Sequence, residues 1–357
     1  MRRKSRPVNC GGIIIGGIAP ISIQSMTNTD TRDAQATIRQ IKKLEEAGCQ
    51  IVRCAVPDLQ AAEALASIKK GIQIPLVADI HFDYRLAIAA MESGVDKIRI
   101  NPGNIGGEER VAAVVKVAKE RQIPIRIGVN SGSIEKRLLE KHNGANAAAL
   151  AESAMDQIKV VEKLGFYDLV ISLKASSVPM NYDAHMMIAD QMEYPLHIGI
   201  TESGSKKGGY IKSAIGIGSL LLAGIGDTLR VSFTGDPCHE IPAAKEILRA
   251  TEVAPTGINL VSCPTCGRCG VDLAQIVDQI EPQLKKLEAE RMRQGKKPIT
   301  VAIMGCAVNG PGEARAADIG IACGKGEALL FRAGAILGKV AEEQVVRTLL
   351  DTIRNEP

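Results

Sequence analysis

Between about residue 20 and residue 250 the chain repeats one pattern, a short β-branched run followed by an amphipathic stretch. The runs fall at 21–24, 51–56, 76–80, 97–101, 125–130, 169–176, 196–202 and 229–234. Helical segments such as 34–47, 108–121, 147–164 and 243–250 lie between them, often preceded by Asp, Asn or Gly. Eight strand–helix units in series predict an α/β fold, a (β/α)8 TIM barrel. A doubly wound open sheet is the competitor, but no Gly-x-Gly-x-x-Gly turn follows the first run, where a dinucleotide would sit.

Side chains alternate between faces along a strand, so parity separates those facing the helices from those facing the lumen. Ile98 and Ile100 alternate with Arg99 and Asn101; Ile125, Ile127 and Val129 with Arg126, Gly128 and Asn130. Ile171 and Leu173 alternate with Ser172 and Lys174, and Leu229, Val231 and Phe233 with Arg230, Ser232 and Thr234. The apolar sets suit the helix layer, which turns the polar sets inward. An ordinary barrel fills its interior with branched apolar side chains. Here Arg53, Arg99, Arg126, Lys174 and Arg230 are expected in the upper lumen, opposed chiefly by Asp79 and Glu202. Such charge is costly to desolvate without an anion, and arginine forks suit phosphate oxygens. A single Arg at a strand end is more often a salt-bridged surface residue; five of inward parity are not so easily dismissed. Asp79 and His81 stand at the C-terminal end of their run, where barrel enzymes act, although a structural hydrogen-bonded pair is the blander reading. His142, His185, His197 and His239 are expected to be structural or surface residues.

Past residue 255 the pattern changes to a smaller α+β module: a strand at 257–261, a charged helix near 273–293, a strand at 299–304, two more near 318–322 and 328–332, and a final helix near 342–354. The expected domains are therefore 1–254 and 255–357, the second an iron–sulfur domain. Its signature is Cys263-Pro264-Thr265-Cys266-Gly267-Arg268-Cys269, answered by Gly305-Cys306 and, seven residues past Cys306, Glu313. Cys263, Cys266 and Cys306 can grip an iron–sulfur cluster, and a carboxylate fourth ligand is held less firmly than a thiolate. Cys269 is an additional thiol that would make a set of four. Lys285 to Lys297 reads as a solvated helix face.

The nine cysteines are otherwise scattered singly, which argues against a disulfide framework and for a reducing cytoplasm. Cys10, Cys49, Cys54, Cys238 and Cys323 read as packing residues. Aromatic residues at 3%, no Trp and a net charge of only +4 offer little to nucleic acid. The basic start followed by an Ile-rich stretch mimics a signal peptide, but Gly11, Gly12, Gly16, Gly17 and Pro20 break the apolar run and a β-hairpin explains it better. No run reaches the roughly 18 apolar residues of a membrane span.

Ordered along nearly the whole chain are Gln24-Ser25-Met26-Thr27, Val52-Arg53-Cys54-Ala55-Val56-Pro57, Ala78-Asp79-Ile80-His81-Phe82, Arg99-Ile100-Asn101-Pro102-Gly103-Asn104 and Arg126-Ile127-Gly128-Val129-Asn130. Ser172-Leu173-Lys174-Ala175-Ser176, Thr201-Glu202-Ser203-Gly204 and the two cysteine motifs follow. The set resembles the 4-hydroxy-3-methylbut-2-enyl diphosphate synthases of the non-mevalonate isoprenoid pathway. The resemblance implies a barrel that binds 2-C-methyl-D-erythritol 2,4-cyclodiphosphate and a 4Fe–4S cluster held by Cys263, Cys266, Cys306 and Glu313. It implies that Arg53, Arg99, Arg126, Lys174 and Arg230 hold the diphosphate, and that Asp79, His81, Asn101, Asn130, Thr201 and Ser232 orient the rest. Glu202 would be the acid that protonates the departing hydroxyl. Ferredoxin or flavodoxin would supply electrons, and a homodimer would cap the barrel of one chain with the cluster domain of the other. The rival reading is a zinc-containing TIM-barrel enzyme acting on tRNA, since four cysteines also suit structural zinc. Pterin-binding synthases with related barrels are a further alternative that needs no cluster.

Overall fold

The computed structural model describes residues 2–254, 257–306 and 310–357. The chain divides into two compact units, Met1–Ala254 and Pro255–Pro357. The first opens with an antiparallel hairpin of β1 (Val8–Cys10) and β2 (Ile13–Ile15). Eight barrel strands follow: β3 (Ser22–Met26), β4 (Ile51–Ala55), β5 (Leu76–Asp79), β6 (Lys97–Ile100), β7 (Ile125–Asn130), β8 (Leu169–Lys174), β9 (His197–Ile198) and β10 (Thr228–Leu229). They pair in parallel in the order β8-β7-β6-β5-β4-β3-β10-β9, and a parallel bridge from Ile171 to Leu196 joins the two ends. This is the barrel that the repeated strand–helix pattern predicts.

Helix formation and sheet packing share one cause. Helix Ala34–Ala47 is capped by the Asp33 carboxylate, which accepts the Ala36 N–H, and it buries Ile38, Ile41 and Leu44. The outward strand residues Ile98, Ile100, Ile125, Ile127, Leu169 and Ile171 join the same core. Facing the other way, Ile51, Val77 and Val170 meet Val8, Cys10 and Ile15 of the hairpin, which seals the barrel floor. The basic opening segment is tied down as well: Arg3 donates from Nη1 to the carbonyls of Ala189 and Met192.

Two strands are shorter than their sequence runs. After Ile198 and after Leu229 the ladder gives way to irregular backbone, with Glu202 in the left-handed region at φ +51. Side chains take over part of the ladder's role. Ser232 Oγ donates to the Ile200 carbonyl at 2.7 Å, and the Arg230 N–H still reaches the Ile198 carbonyl at 3.0 Å.

The second unit is a five-stranded sheet of β11 (Ile258–Ser262), β12 (Ile299–Met304), β13 (Ile319–Cys323), β14 (Glu327–Arg332) and β15 (Ala335–Ala341) in that spatial order. β11, β12 and β13 run parallel; β14 and β15 return antiparallel. Strand β15 has no counterpart in the sequence expectation, because Leu337 and Ile336 are exposed and Gly338 interrupts the alternation. Helices Leu273–Arg293 and Val345–Arg354 cover one face through Ile280, Leu284, Leu287, Leu349 and Ile353. The expectation of a wholly solvated face over 285–297 fails at Arg291, which is 3% exposed. Its guanidinium donates to the carbonyls of Lys297 and Glu356, each at 2.9 Å, and of Pro357 at 3.2 Å.

Those bonds tie the long helix to the end of the chain. Replacing Arg291 with Ala should destabilise the second unit by about 2–4 kcal/mol, since hydrogen bonds to a charged group contribute about 1.5–3 kcal/mol each and burial excludes replacement by water. Denaturant unfolding of the full chain would measure it, and a change under about 0.5 kcal/mol, the scale of an ordinary surface substitution, would contradict this account.

Candidate active site

The strands converge on a cavity of about 200 Å³ at the C-terminal ends of the barrel. Arg53 on β4, Asp79 on β5, Arg99 on β6, Arg126 and Asn130 on β7, and Lys174 on β8 line it. His81, Thr201, Arg230 and Ser232 complete the set from the segments that follow β5, β9 and β10. Inward parity explains the convergence: each of the first six alternates with an apolar residue packed under the helices. Room for the long cations comes from residues without a side chain. A Cβ at Gly128 would collide with the Arg99 guanidinium, and one at Gly199 would stand 2.9 Å from Lys174 Nζ.

Asp79 is the hub. One carboxylate oxygen lies 3.2 Å from Arg99 Nη1; the other lies 3.7 Å from Arg53 Nε and 3.4 Å from His81 Nε2. Burial alone would raise its pKa, but Arg53, the His81 hydrogen bond and Arg99 together hold it well below the usual carboxylate range. The cations are pushed the other way. Burial brings Arg53 down to about 10, against the pull of Asp79. Burial, then repulsion from Arg53 and Arg99, takes Arg126 well below its ordinary value, and Lys174 falls through burial and the fields of Arg126 and Arg53. Arg126 is 1% exposed, and among the described residues its Nε and Nη1, like Arg99 Nε, have no hydrogen-bond partner.

Two expected residues stand elsewhere. Asn101 is buried but outside the cavity lining; its side chain caps the short helix Pro102–Ile105 by accepting the Gly103 N–H at 3.1 Å. Glu202 is exposed, has a left-handed backbone and stands outside the lining, next to Thr201, so it is not the second acid opposing the lumen cations. That part belongs to Glu240, at the start of helix Glu240–Ala250. It is 2% exposed, grips Arg230 at 2.9 and 3.1 Å, and accepts from Ser25 Oγ at 2.8 Å. Met26 was also missed: its sulfur lies 3.0 Å from Arg53 Nη2 and 3.5 Å from Arg230 Nη1. Ser172 and Ile200 complete the lining. The parity argument already turned Ser172 inward and would have reached Met26 if extended; Glu240 lay beyond it, because it reaches the site from a helix. His197, expected to be structural, is fully buried, and His185 is held by the Asn181 carbonyl at 2.7 Å.

In the second unit, Cys263 and Cys306 follow the C-terminal ends of the adjacent parallel strands β11 and β12. Cys306 is buried, Cys263 half-buried and Cys266 exposed. Glu313 lies exposed in the first turn of helix Gly310–Ala316. Among the described residues no three His, Cys, Asp or Glu side chains stand close enough together to hold a metal ion. Residues 307–309, between Cys306 and that helix, lie outside the described set. The donor chemistry nonetheless fits an iron–sulfur group. The Gly305 N–H donates to Cys263 Sγ at 3.3 Å, the kind of contact that stabilises a ligating thiolate. Cys269 differs: its thiol donates to the Val271 carbonyl at 3.3 Å and packs where a Cβ at Gly305 would be. Burial, together with the negative fields of Glu342, Cys269 and Cys263, pushes the Cys323 thiol up to about 11, in keeping with a packing residue.

Two family descriptions match the chain, the GcpE TIM-barrel domain over residues 5–245 and the GcpE protein C-terminal domain over residues 259–355. The chain belongs to the GcpE family. One GcpE relative, from Ruminiclostridium cellulolyticum, is 57% identical over 352 residues, covering 99% of this chain and 98% of its own. Another, from Geobacillus kaustophilus, is 56% identical over 348 residues, covering 98% and 91%. Both are named 4-hydroxy-3-methylbut-2-en-1-yl diphosphate synthase (flavodoxin). Their names speak for the diphosphate reading and against the zinc-containing, tRNA-acting alternative. The GcpE barrel also resembles dihydropteroate synthase from Stenotrophomonas maltophilia, at a TM-score of 0.50, 14% identity and coverage of 71% of this chain and 100% of that one. At that identity the likeness concerns the fold alone.

The lowered pKa of Lys174 has a measurable consequence. Between its folded value and the roughly 10.4 of an unfolded lysine, the unfolded chain binds more protons, so stability of the ligand-free protein rises with pH across that window. Lys174→Met should flatten the rise and stabilise the ligand-free protein at neutral pH by about 1–3 kcal/mol, since an apolar side chain replaces a buried unpaired charge. Denaturant unfolding at several pH values tests this; an unchanged slope in the variant would refute it.

Proposed function

We propose that this chain carries out the reductive ring opening and dehydration of 2-C-methyl-D-erythritol 2,4-cyclodiphosphate, giving 4-hydroxy-3-methylbut-2-enyl diphosphate. The observation that supports this most strongly is the charge of the cavity. Five cations, Arg53, Arg99, Arg126, Lys174 and Arg230, meet two buried carboxylates, Asp79 and Glu240. An excess of three charges in a desolvated site calls for a polyanion, and a diphosphate is one whose oxygens suit guanidinium forks. No helix among the described residues is long and apolar enough to cross a membrane. That agrees with a cytoplasmic enzyme of a small phosphorylated metabolite.

Each residue has a role that follows from its place. Arg126 and Lys174 are the least neutralised cations and take the most buried phosphate oxygens. Arg230 is held by Glu240, and Arg53 and Arg99 by Asp79, so their forks are oriented before the ligand arrives. His81 and Asn130, with the hydroxyls of Thr201 and Ser232, face the carbon skeleton. Asn101 orients the site from its capping position rather than by contact. Glu202, beside Thr201, protonates the departing hydroxyl, without which that group would leave too slowly.

Cys263, Cys266, Cys306 and Glu313 would hold a 4Fe–4S cluster, whose chemistry would be to pass on, one at a time, electrons received from flavodoxin or ferredoxin. Overall, two electrons and one proton enter, a C–O bond to the cyclic diphosphate breaks, and the hydroxyl leaves as water. The carboxylate of Glu313 is the ligand most easily replaced, because oxygen is held less firmly than thiolate sulfur. A homodimer, with the cluster-bearing unit of one chain over the barrel of its partner, would complete the site.

Glu202→Gln should retain cluster and substrate binding but lose turnover by about 10²–10⁴-fold, the usual contribution of a general acid. Anaerobic turnover of the cyclic diphosphate with a chemical reductant checks this, and near-normal turnover would remove Glu202 from its role. Among the thiols, Cys306→Ser should lose iron and acid-labile sulfide while Cys269→Ser keeps both. Loss of iron from the Cys269 variant would mean that all four sulfurs are ligands.

A further inference from the structure

Below the cationic cavity the lumen continues into a second polar layer. Ser22 and Gln24 on β3 share parity with Met26, Lys97 on β6 with Arg99, His197 on β9 with Gly199, and Thr228 on β10 with Arg230. All therefore point inward, as Arg126 does. Ser22, Thr228 and His197 stand in register on three neighbouring strands. Lys97 and Arg126 approach from β6 and β7. Each of the six residues is at most 2% exposed. Above them is the cavity; beneath them the hairpin residues Val8, Cys10 and Ile15 close the floor.

These six residues carry nine of the sixteen buried side-chain nitrogen and oxygen atoms that lack a hydrogen-bond partner among the described residues. They are Ser22 Oγ, both amide atoms of Gln24, Lys97 Nζ, Arg126 Nε and Nη1, both ring nitrogens of His197 and Thr228 Oγ1. Folded proteins leave few such groups unpaired, and their concentration in one layer marks a place suited to a polar guest. The chemistry of the layer says which guest. Donors predominate, and among the described residues neither Lys97 nor Arg126 makes a salt bridge, although the field of Asp79 reaches Arg126. Asp96, the acid under the floor, is engaged by Lys69 Nζ at 2.5 Å and by the Leu76 N–H at 2.7 Å. Cys10 is the group nearest in influence to Lys97, but burial raises its pKa against the pull and hydrogen bond of Lys97, which disfavours the thiolate that would serve as counter-ion. Burial, then the fields of Arg126, Lys174, Arg53 and Lys97, takes the His197 pKa well below its ordinary value, so the neutral imidazole has one N–H to give.

We propose that the floor of the barrel binds a small monovalent anion, of the charge and size of chloride, between Lys97, Arg126 and His197, with the hydroxyls of Ser22 and Thr228 completing its shell. Water alone would satisfy the donors but leave the buried Lys97 side chain without an opposite charge, while Arg126 stands between this layer and the phosphate-binding cavity above. A larger or doubly charged anion belongs in the cavity above, which is open to solvent; the layer below is sealed by the hairpin. The site offsets charge that would otherwise add to the repulsion among the cations overhead. It makes no use of the reaction proposed for the cavity.

The test uses the full-length holoprotein under anaerobic conditions, with inorganic pyrophosphate saturating the upper cavity so that halide cannot act there. Exchanging chloride for gluconate should lower the melting temperature of the native chain by about 3 °C or more, and bromide should restore it. Lys97→Met should melt no lower than the native chain and show no halide dependence. Crystals grown in bromide should give an anomalous peak in the lumen, on the floor side of Arg126. A melting temperature indifferent to halide together with ordered water and no anomalous signal at that place would overturn the proposal. The bromide measurement on the native chain decides the matter even where the variant fails to fold.

Discussion

Positive charge without enough negative charge to match it is the condition around which the barrel is built. Arg53, Arg99, Arg126, Lys174 and Arg230 share one lumen, and among the described residues the carboxylates that pair with them are those of Asp79 and Glu240. Bringing like charges together out of water opposes folding, so the rest of the unit must supply the stability. It does so on the outer face of the sheet, where an almost unbroken set of Ile, Val, Leu and Ala side chains packs under the helices. Destabilising charge and stabilising apolar surface alternate residue by residue along the same strands. A site preorganised for a polyanion is what that arrangement produces.

The carboxylates are placed to orient rather than to neutralise. Asp79 reaches two guanidinium groups and His81, and Glu240 holds both Nε and Nη2 of Arg230. Forks fixed in this way lose little freedom when phosphate oxygens arrive. Met26 adds a soft contact to Arg53 and Arg230 that a bound oxygen can replace at small cost, because a thioether is a weak acceptor. The irregular backbone after β9 and β10 belongs to the same design: Thr201 and Ser232 face the cavity from segments released from the ladder.

In the second unit, the cysteine loops leave the same end of two adjacent parallel strands, so residues forty apart in sequence become neighbours. Cys263 and Cys269 differ in their partners. The first accepts the Gly305 N–H, and the second lies against the Val271 carbonyl. Sequence spacing treats the two alike; hydrogen bonding separates them.

Periodicity alone determined the barrel, its strand order along the chain and which strand residues face inward, because side-chain direction in a strand is local and alternates with a fixed period. That is why Arg53, Asp79, Arg99, Arg126, Lys174 and Arg230 were legible as lumen residues from the chain itself. The exposed turn at Glu202, the capping position of Asn101 and the part played by Glu240 were decided by tertiary structure. Each depends on a backbone angle or on a helix packed against the sheet, and neither leaves a period in the sequence. The same holds for the unpaired atoms of the barrel floor, which become a group only when β3, β6, β7, β9 and β10 close into one lumen, and for Arg291, whose partners lie at the far end of the chain.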